Sequence, residues 1–441
     1  MRLARMIAER GIFRTFPWAK HTIFNERFYD IHFLYHVLLI PFTVGNPVIG
    51  GKIASVLLGA LAVGLLARFM SRNGIRYGFF WSLFLLFGSS AFLGRMVMVR
   101  PISLSVIFFI LALHVLFRGD YRWMALLAYL FVLAYNGFPM LVVIVVTYTV
   151  CRLVYDRKLE YRPLLYCLAG LAAGMVLNPY FPNNFRILFV QFVRGPLTRS
   201  LLESNLEWLP VSTWSILLGS AGVVIALFAV FYLVLRKKAP CSFNTVYLFV
   251  QAVVFLLLYA KYARGIDQFV PFAVLFCAFA VSEIKIRREK LALIVMTAFL
   301  IINMGVNLFI AGKVLSGSDR IDNAGSAAWL RDNTPQGSEV FIANYGAFTQ
   351  LFYYNQNNYY TLGLDPLYMR EHDPRLYDLY QDAIWLRRDP YPVIAREFGA
   401  SWVHVENISR SREFYGYLES SPHLYRRVFQ DDFSAIYEVR R

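Results

Sequence analysis

Apolar runs long enough to cross a bilayer recur between Pro47 and Gly312, and this repetition limits the fold more than any other feature. With no water in the hydrocarbon core, each crossing segment must satisfy its own backbone hydrogen bonds, so runs of this length are expected as helices. The totals agree: of 441 residues, 58% are hydrophobic and only 16% charged. Charge, Pro or Asn bounds ten expected spans, at about 47–68, 77–94, 101–117, 123–135, 139–154, 164–177, 214–235, 246–259, 268–281 and 291–310. The expected architecture is an all-α polytopic membrane domain over 47–312. An outer-loop segment with interfacial helices, 1–46, precedes it, and a small α/β extracytoplasmic domain, 313–441, follows.

The formal charge of +16 is unevenly spread. Residues 1–312 carry 30 Lys+Arg against 11 Asp+Glu, whereas 313–441 carry 14 against 17. Basic loops at 68–76, 118–122, 152–162, 236–238 and 285–290 alternate with poorer ones, which assigns this set to the cytoplasm and both termini to the outer face. That leaves Arg2, Arg5, Arg10, Arg14, Lys20 and Arg27 outside with no helix before them. The chain is therefore expected to begin within the first outer loop of a longer protein. Its opening segment, RLARMIAERGI, reads as an interfacial helix that Gly11 ends, or as a frayed basic tail. The four cysteines all lie in or beside apolar runs and imply no disulfide framework.

Beyond Gly312 the pattern alternates helix with short strands: Val340 to Ala343, Tyr359 to Leu362, Trp402 to Val405 and a final FSAIYEVR. This is the signature of a small α/β domain. Neither a dinucleotide fingerprint nor a P-loop is present, and the basic excess lies beside apolar runs, so no nucleic-acid partner is expected.

Candidate chemistry gathers at the span ends on the outer side. FNERFYDIHFLYHVLLIPF sets Glu26, Asp30, His32 and His36 at the mouth of an apolar run. A carboxylate there is a candidate general base or metal ligand. The two histidines, four apart, share a helical face and either help hold a metal or make ordinary polar contacts. Three loops carry cations at membrane depth: Arg95 and Arg100, Arg186 and Arg194, Lys261 and Arg264. Either they snorkel, or they converge on a phosphate. Asp267, three residues after Arg264, is expected to pair with it, and Glu207 either lines the site or caps the following helix.

The segments FYDIHFLYHVLLIPF, MVRPISLS, GMVLNPYFPNN, LEWLP and ARGIDQFVPFAV resemble the GT-C class of integral membrane glycosyltransferases. The resemblance is to the bacterial branch related to protein mannosyltransferases and lipopolysaccharide sugar transferases. It implies a polyprenyl-phosphate-linked sugar donor, membrane lipids as surroundings, a bacterial inner-membrane location and an optional divalent metal. Asp30 matches the second acidic position of the first outer loop, with Glu26 beside it, and Arg100 matches the arginine that opens a later span. The class's leading Asp has no counterpart in this sequence. Arg100, Lys261 and Arg264 are then expected to hold the leaving phosphate, with His32, His36 and Glu207 lining the site.

Two other readings stand beside this one. A non-catalytic relative would bind a glycan or partner, which the missing first acid favours. A transporter or flippase would move a lipid-linked solute, but ionisable residues within spans are almost absent and no interrupted pair of spans recurs in two halves.

Overall fold

Each expected span is helical in the computed structural model, which describes residues 1–195, 209–238, 240–316, 322–408 and 411–441. Among the described residues, five helices are long and apolar enough to cross a membrane: Pro47–Arg72, Pro139–Asp156, Phe243–Lys261, Ala263–Glu283 and Glu289–Ile310. Two expected spans are bent pairs, Gly78–Phe87 with Ser90–Met96 at 86° and Thr213–Gly219 with Ala221–Lys237 at 90°. The rest, Ile102–Arg118, Trp123–Ala134 and Arg162–Val176, are shorter apolar helices. The chain is an integral membrane protein.

Two compact units share the chain. The membrane unit comprises Met1–Gly11, Ile31–Phe181 and Ser200–Gly317; the sheet unit comprises Ile12–Asp30, Pro182–Arg199 and Ser318–Arg441. Residues 12–30 and 182–195 thus belong to the same compact unit as the C-terminal sheet.

Local signals set the helix ends. The Asn46 side chain accepts from the amides of Val48 and Ile49, and Pro47 opens the helix where its missing N–H costs nothing. Gly11 closes the first helix, Arg2–Arg10, at φ 72°, a conformation that glycine adopts without strain. Ala4, Met6 and Ile7 are the buried face of that helix.

Ile266–Glu283 runs through the centre of the membrane unit; 94% of its apolar window is buried, against 6% for Glu289–Ile310 at the periphery. Trp123–Ala134 and Arg162–Val176 pack in unusually close contact, and glycine spacing explains it. A Cβ on Gly170 would lie 2.1 Å from the Ala125 carbonyl oxygen, and one on Gly174 would lie 3.0 Å from that of Tyr129. Lipid gives helices no hydrophobic reason to associate, so small residues four apart let the backbones meet.

The sheet unit holds β1 (Glu339–Ile342), β2 (Tyr359–Tyr360), β3 (Trp402–Glu406), β4 (Tyr425–Gln430) and β5 (Ser434–Val439), in the order β2-β1-β3-β5-β4. β1 lies parallel to β2 and β3, and the β5–β4 hairpin closes one side antiparallel. The sequence reading finds every strand but β4, because Arg426 and Arg427 interrupt the alternation of YRRVFQ; both are exposed and pair with Glu438 and Glu419.

Gly170→Ala should therefore cost about 1–3 kcal/mol by overpacking. Gly59→Ala meets open space, and should be neutral or slightly stabilising. Thermal unfolding of the two variants in detergent checks this; equal midpoints would mean that these helices do not meet so closely.

Candidate functional site

The two bends of the membrane unit fall at Gly88-Ser89 and Gly219-Ser220, and each supplies what the other lacks. The Ser89 hydroxyl donates to the Gly219 carbonyl at 2.7 Å and accepts from the Phe92 amide at 3.1 Å. The Val223 amide donates to the Gly88 carbonyl at 3.1 Å, and Asn307 donates to the Phe87 carbonyl. A Cβ on Gly222 would lie 2.2 Å from Asn303 Oδ1, so only glycine permits the crossing. Broken backbone at membrane depth is tolerated under such mutual bonding. Two expected spans are thus interrupted, each at small residues within an otherwise continuous apolar run.

Directly after the first bend comes Arg95, which gives Asp267 a partner that its sequence neighbourhood does not suggest. Nε to Oδ1 is 2.5 Å and Nη2 to Oδ2 is 2.8 Å. The side chains are 12% and 2% exposed, so both charges are largely withdrawn from solvent. Two-point geometry and a helix N-terminus under Asp267 favour this pair. The pair also ties the segment that leads to Arg100 to the one that holds Lys261 and Arg264. Arg100 is exposed, just ahead of Pro101 and the helix Ile102–Arg118. Lys261 is exposed at the end of Phe243–Lys261, its Nζ 5.4 Å from the centre of the Tyr262 ring. Arg264 is half-buried in the turn Ala263–Gly265.

Arg186 and Arg194, of the third cationic loop, belong to the sheet unit, where both face Glu371, at 3.7 and 2.5 Å.

His32 is the residue before the helix Phe33–Leu39, and His36 sits one turn into it. Their ring centres are 6.2 Å apart, and His32 lies 5.4 Å from the Tyr135 ring. The two imidazoles therefore do share a face. Asp30, 2% exposed, and Glu26, exposed, both lie in the sheet unit. Glu207 lies outside the described residues. Among the described residues, no three His, Cys, Asp or Glu side chains form a group suited to a metal ion.

The sheet unit buries a polar network that sequence reasoning passed over. His404 and Glu406, two apart on β3, share a face. The His404 Nε2 lies 3.2 Å from the Ser326 hydroxyl; Glu406 accepts from Asn323 at 2.7 Å and from Asn344 at 2.5 Å. Burial pushes the His404 imidazole down to about 3 and raises the Glu406 carboxyl, the latter partly offset by its two amide donors.

The fold is similar to that of the apo oligosaccharyltransferase of Archaeoglobus fulgidus, at a TM-score of 0.60 and 11% identity. The match covers 92% of this chain and 64% of that one, so the chain spans less than two thirds of its structural relative. No protein family and no curated protein matches the sequence.

Asp267→Asn or Arg95→Gln should each destabilise the membrane unit by about 3 kcal/mol, because either leaves a buried charge without its partner. The double variant should lose clearly less than the sum in unfolding measurements; additive losses would deny the pairing.

The sheet unit should lose stability as pH falls below about 6.5. There the unfolded imidazole of residue 404 takes up a proton that the folded one refuses, at a slope of up to about 1.4 kcal/mol per pH unit. Above that range the group contributes nothing, and Glu406 acts in the opposite sense only nearer the carboxylate range. Thermal shifts between pH 7.5 and 5 should be flatter for His404→Gln than for the parent, and identical slopes would contradict this account.

Proposed function

We propose that this chain is a glycosyltransferase that moves a sugar from a polyprenyl-phosphate donor to a lipid, glycan or protein hydroxyl at the membrane surface. The observation that carries the reading is the likeness of fold to a membrane oligosaccharyltransferase over nearly the whole chain. In this reading Asp30 takes the proton of the acceptor hydroxyl, whose oxygen attacks the anomeric carbon. The bond from that carbon to the phosphate oxygen breaks, and its electron pair leaves with the polyprenyl phosphate. Arg100, Lys261 and Arg264 stabilise the departing charge, and Arg95 braces their two segments through Asp267. Glu26 is the alternative base. His32 and His36 line the acceptor side, and a divalent metal is an optional addition.

A second reading, a carrier for a lipid-linked solute, draws support from the two broken helices, since such breaks often mark substrate paths. The two separate on one measurement. Purified protein is supplied with undecaprenyl phosphate carrying mannose, glucose or arabinose together with lipid, glycan or peptide hydroxyl acceptors, and release of undecaprenyl phosphate is followed. The transferase releases it, and Asp30→Asn falls by at least about a hundredfold, the usual weight of a general base. Full activity in that variant would remove Asp30 from the mechanism. Movement of intact donor across vesicles without release would instead establish the carrier.

A further inference from the structure

Within the sheet unit, the segment that ends in Asp30 folds back on itself. The Phe28 amide donates to the Arg14 carbonyl at 2.8 Å, and the Phe16 amide to the Phe24 carbonyl at 2.9 Å. Residues 14–28 thus form a closed surface loop with joined ends. Its inside is aromatic: Phe16 stacks on Phe28 and meets Phe352 edge-on at 5.0 Å, and Phe24 lies 4.3 Å from Tyr368.

The loop also extends the sheet. The Tyr360 amide donates to the Trp18 carbonyl at 2.9 Å, the Lys20 amide to the Tyr360 carbonyl at 3.1 Å, and the His21 amide to the Thr361 carbonyl at 3.3 Å. Ala19 pairs with Tyr360 in parallel. β2, only two residues long, is thereby covered along its outer side.

One acid locks this arrangement. Glu339, at the start of β1, is 5% exposed, and its two carboxylate oxygens are taken separately. Lys20 Nζ donates to Oε2 at 2.7 Å, and His21 Nε2 meets Oε1 at 2.6 Å. Aromatic packing is tolerant of small slides, whereas a buried carboxylate gripped at both oxygens is not.

We propose that Glu339 is a positioning residue: clasped by Lys20 and His21, it fixes the register of the loop and so the place of Asp30, two residues beyond the closure at Phe28. The inference rests on the reading of Asp30 as the base. It gives the adjacent Lys20 and His21 a role that the sequence left unassigned, and it makes the sheet unit a determinant of turnover.

The test uses the full-length protein in detergent. Glu339→Gln removes one acceptor oxygen, and amide hydrogen exchange over residues 14–28 should then quicken at least about tenfold. Turnover of the undecaprenyl-phosphate donors should fall by about tenfold, with KM within about twofold, as expected when a reacting group is displaced but binding is kept. Lys20→Gln, on the more exposed partner, should move both readings the same way, and Lys20→Arg should restore slow exchange relative to it. Unchanged exchange in both Glu339→Gln and Lys20→Gln would overturn the clasp. Faster exchange with unchanged kcat would leave Glu339 merely structural and overturn the positioning role. Full activity of Asp30→Asn would instead defeat the base assignment, and the exchange data would still decide whether the clasp holds the loop.

Discussion

The membrane unit depends on one constraint: where a helix breaks in hydrocarbon, the backbone groups it releases must find partners inside the protein. The two bends meet this by crossing, Gly88-Ser89 against Gly219-Ser220, with Asn307 serving the Phe87 carbonyl. Small residues are needed on both sides, because a Cβ at Gly222 would overlap Asn303 and the Gly88 carbonyl. The crossing in turn determines where Ser90–Met96 points, and hence where Arg95 can reach. Its partner Asp267 opens the helix that forms the buried centre of the unit. Core, bends and cationic segments are thus successive consequences of one requirement.

Acids distribute the cations between roles. Asp267 engages Arg95, Glu371 engages Arg186 and Arg194, and Glu339 engages Lys20 and His21. A cation held by a largely desolvated carboxylate is a brace, since removing it strands a buried charge. The two segments tied by Arg95 and Asp267 also carry Arg100, Lys261 and Arg264.

Much of this was legible from residue order. Apolar length located the helices, Asn46-Pro47 and Gly11 marked their ends, and alternation located four of the five strands. What escaped has physical reasons. Hydropathy averages over Gly88-Ser89 and Gly219-Ser220, since two small residues barely lower the mean of an apolar run. Pairings such as Arg95 with Asp267 or Arg194 with Glu371 join residues far apart in the chain, which no local rule can find. β4 was hidden by two arginines whose partners lie on β5 and on the helix Arg412–Glu419. The association of 12–30 with the sheet left no local signal, because its bonds run to residues more than three hundred positions away.

The same division bears on which carboxylate does chemistry. An acid that already grips a guanidinium at two points, as Asp267 does, must give up a partner before it can take a proton. Glu339 and Glu371 are likewise committed, each to two basic side chains. Aromatic packing and strand pairing fix the loop that leads to Asp30, and the contact that locks it is made by Glu339, on a different strand. In the proposed mechanism the carboxylate that orders the loop stays bound while the one that takes the proton changes state.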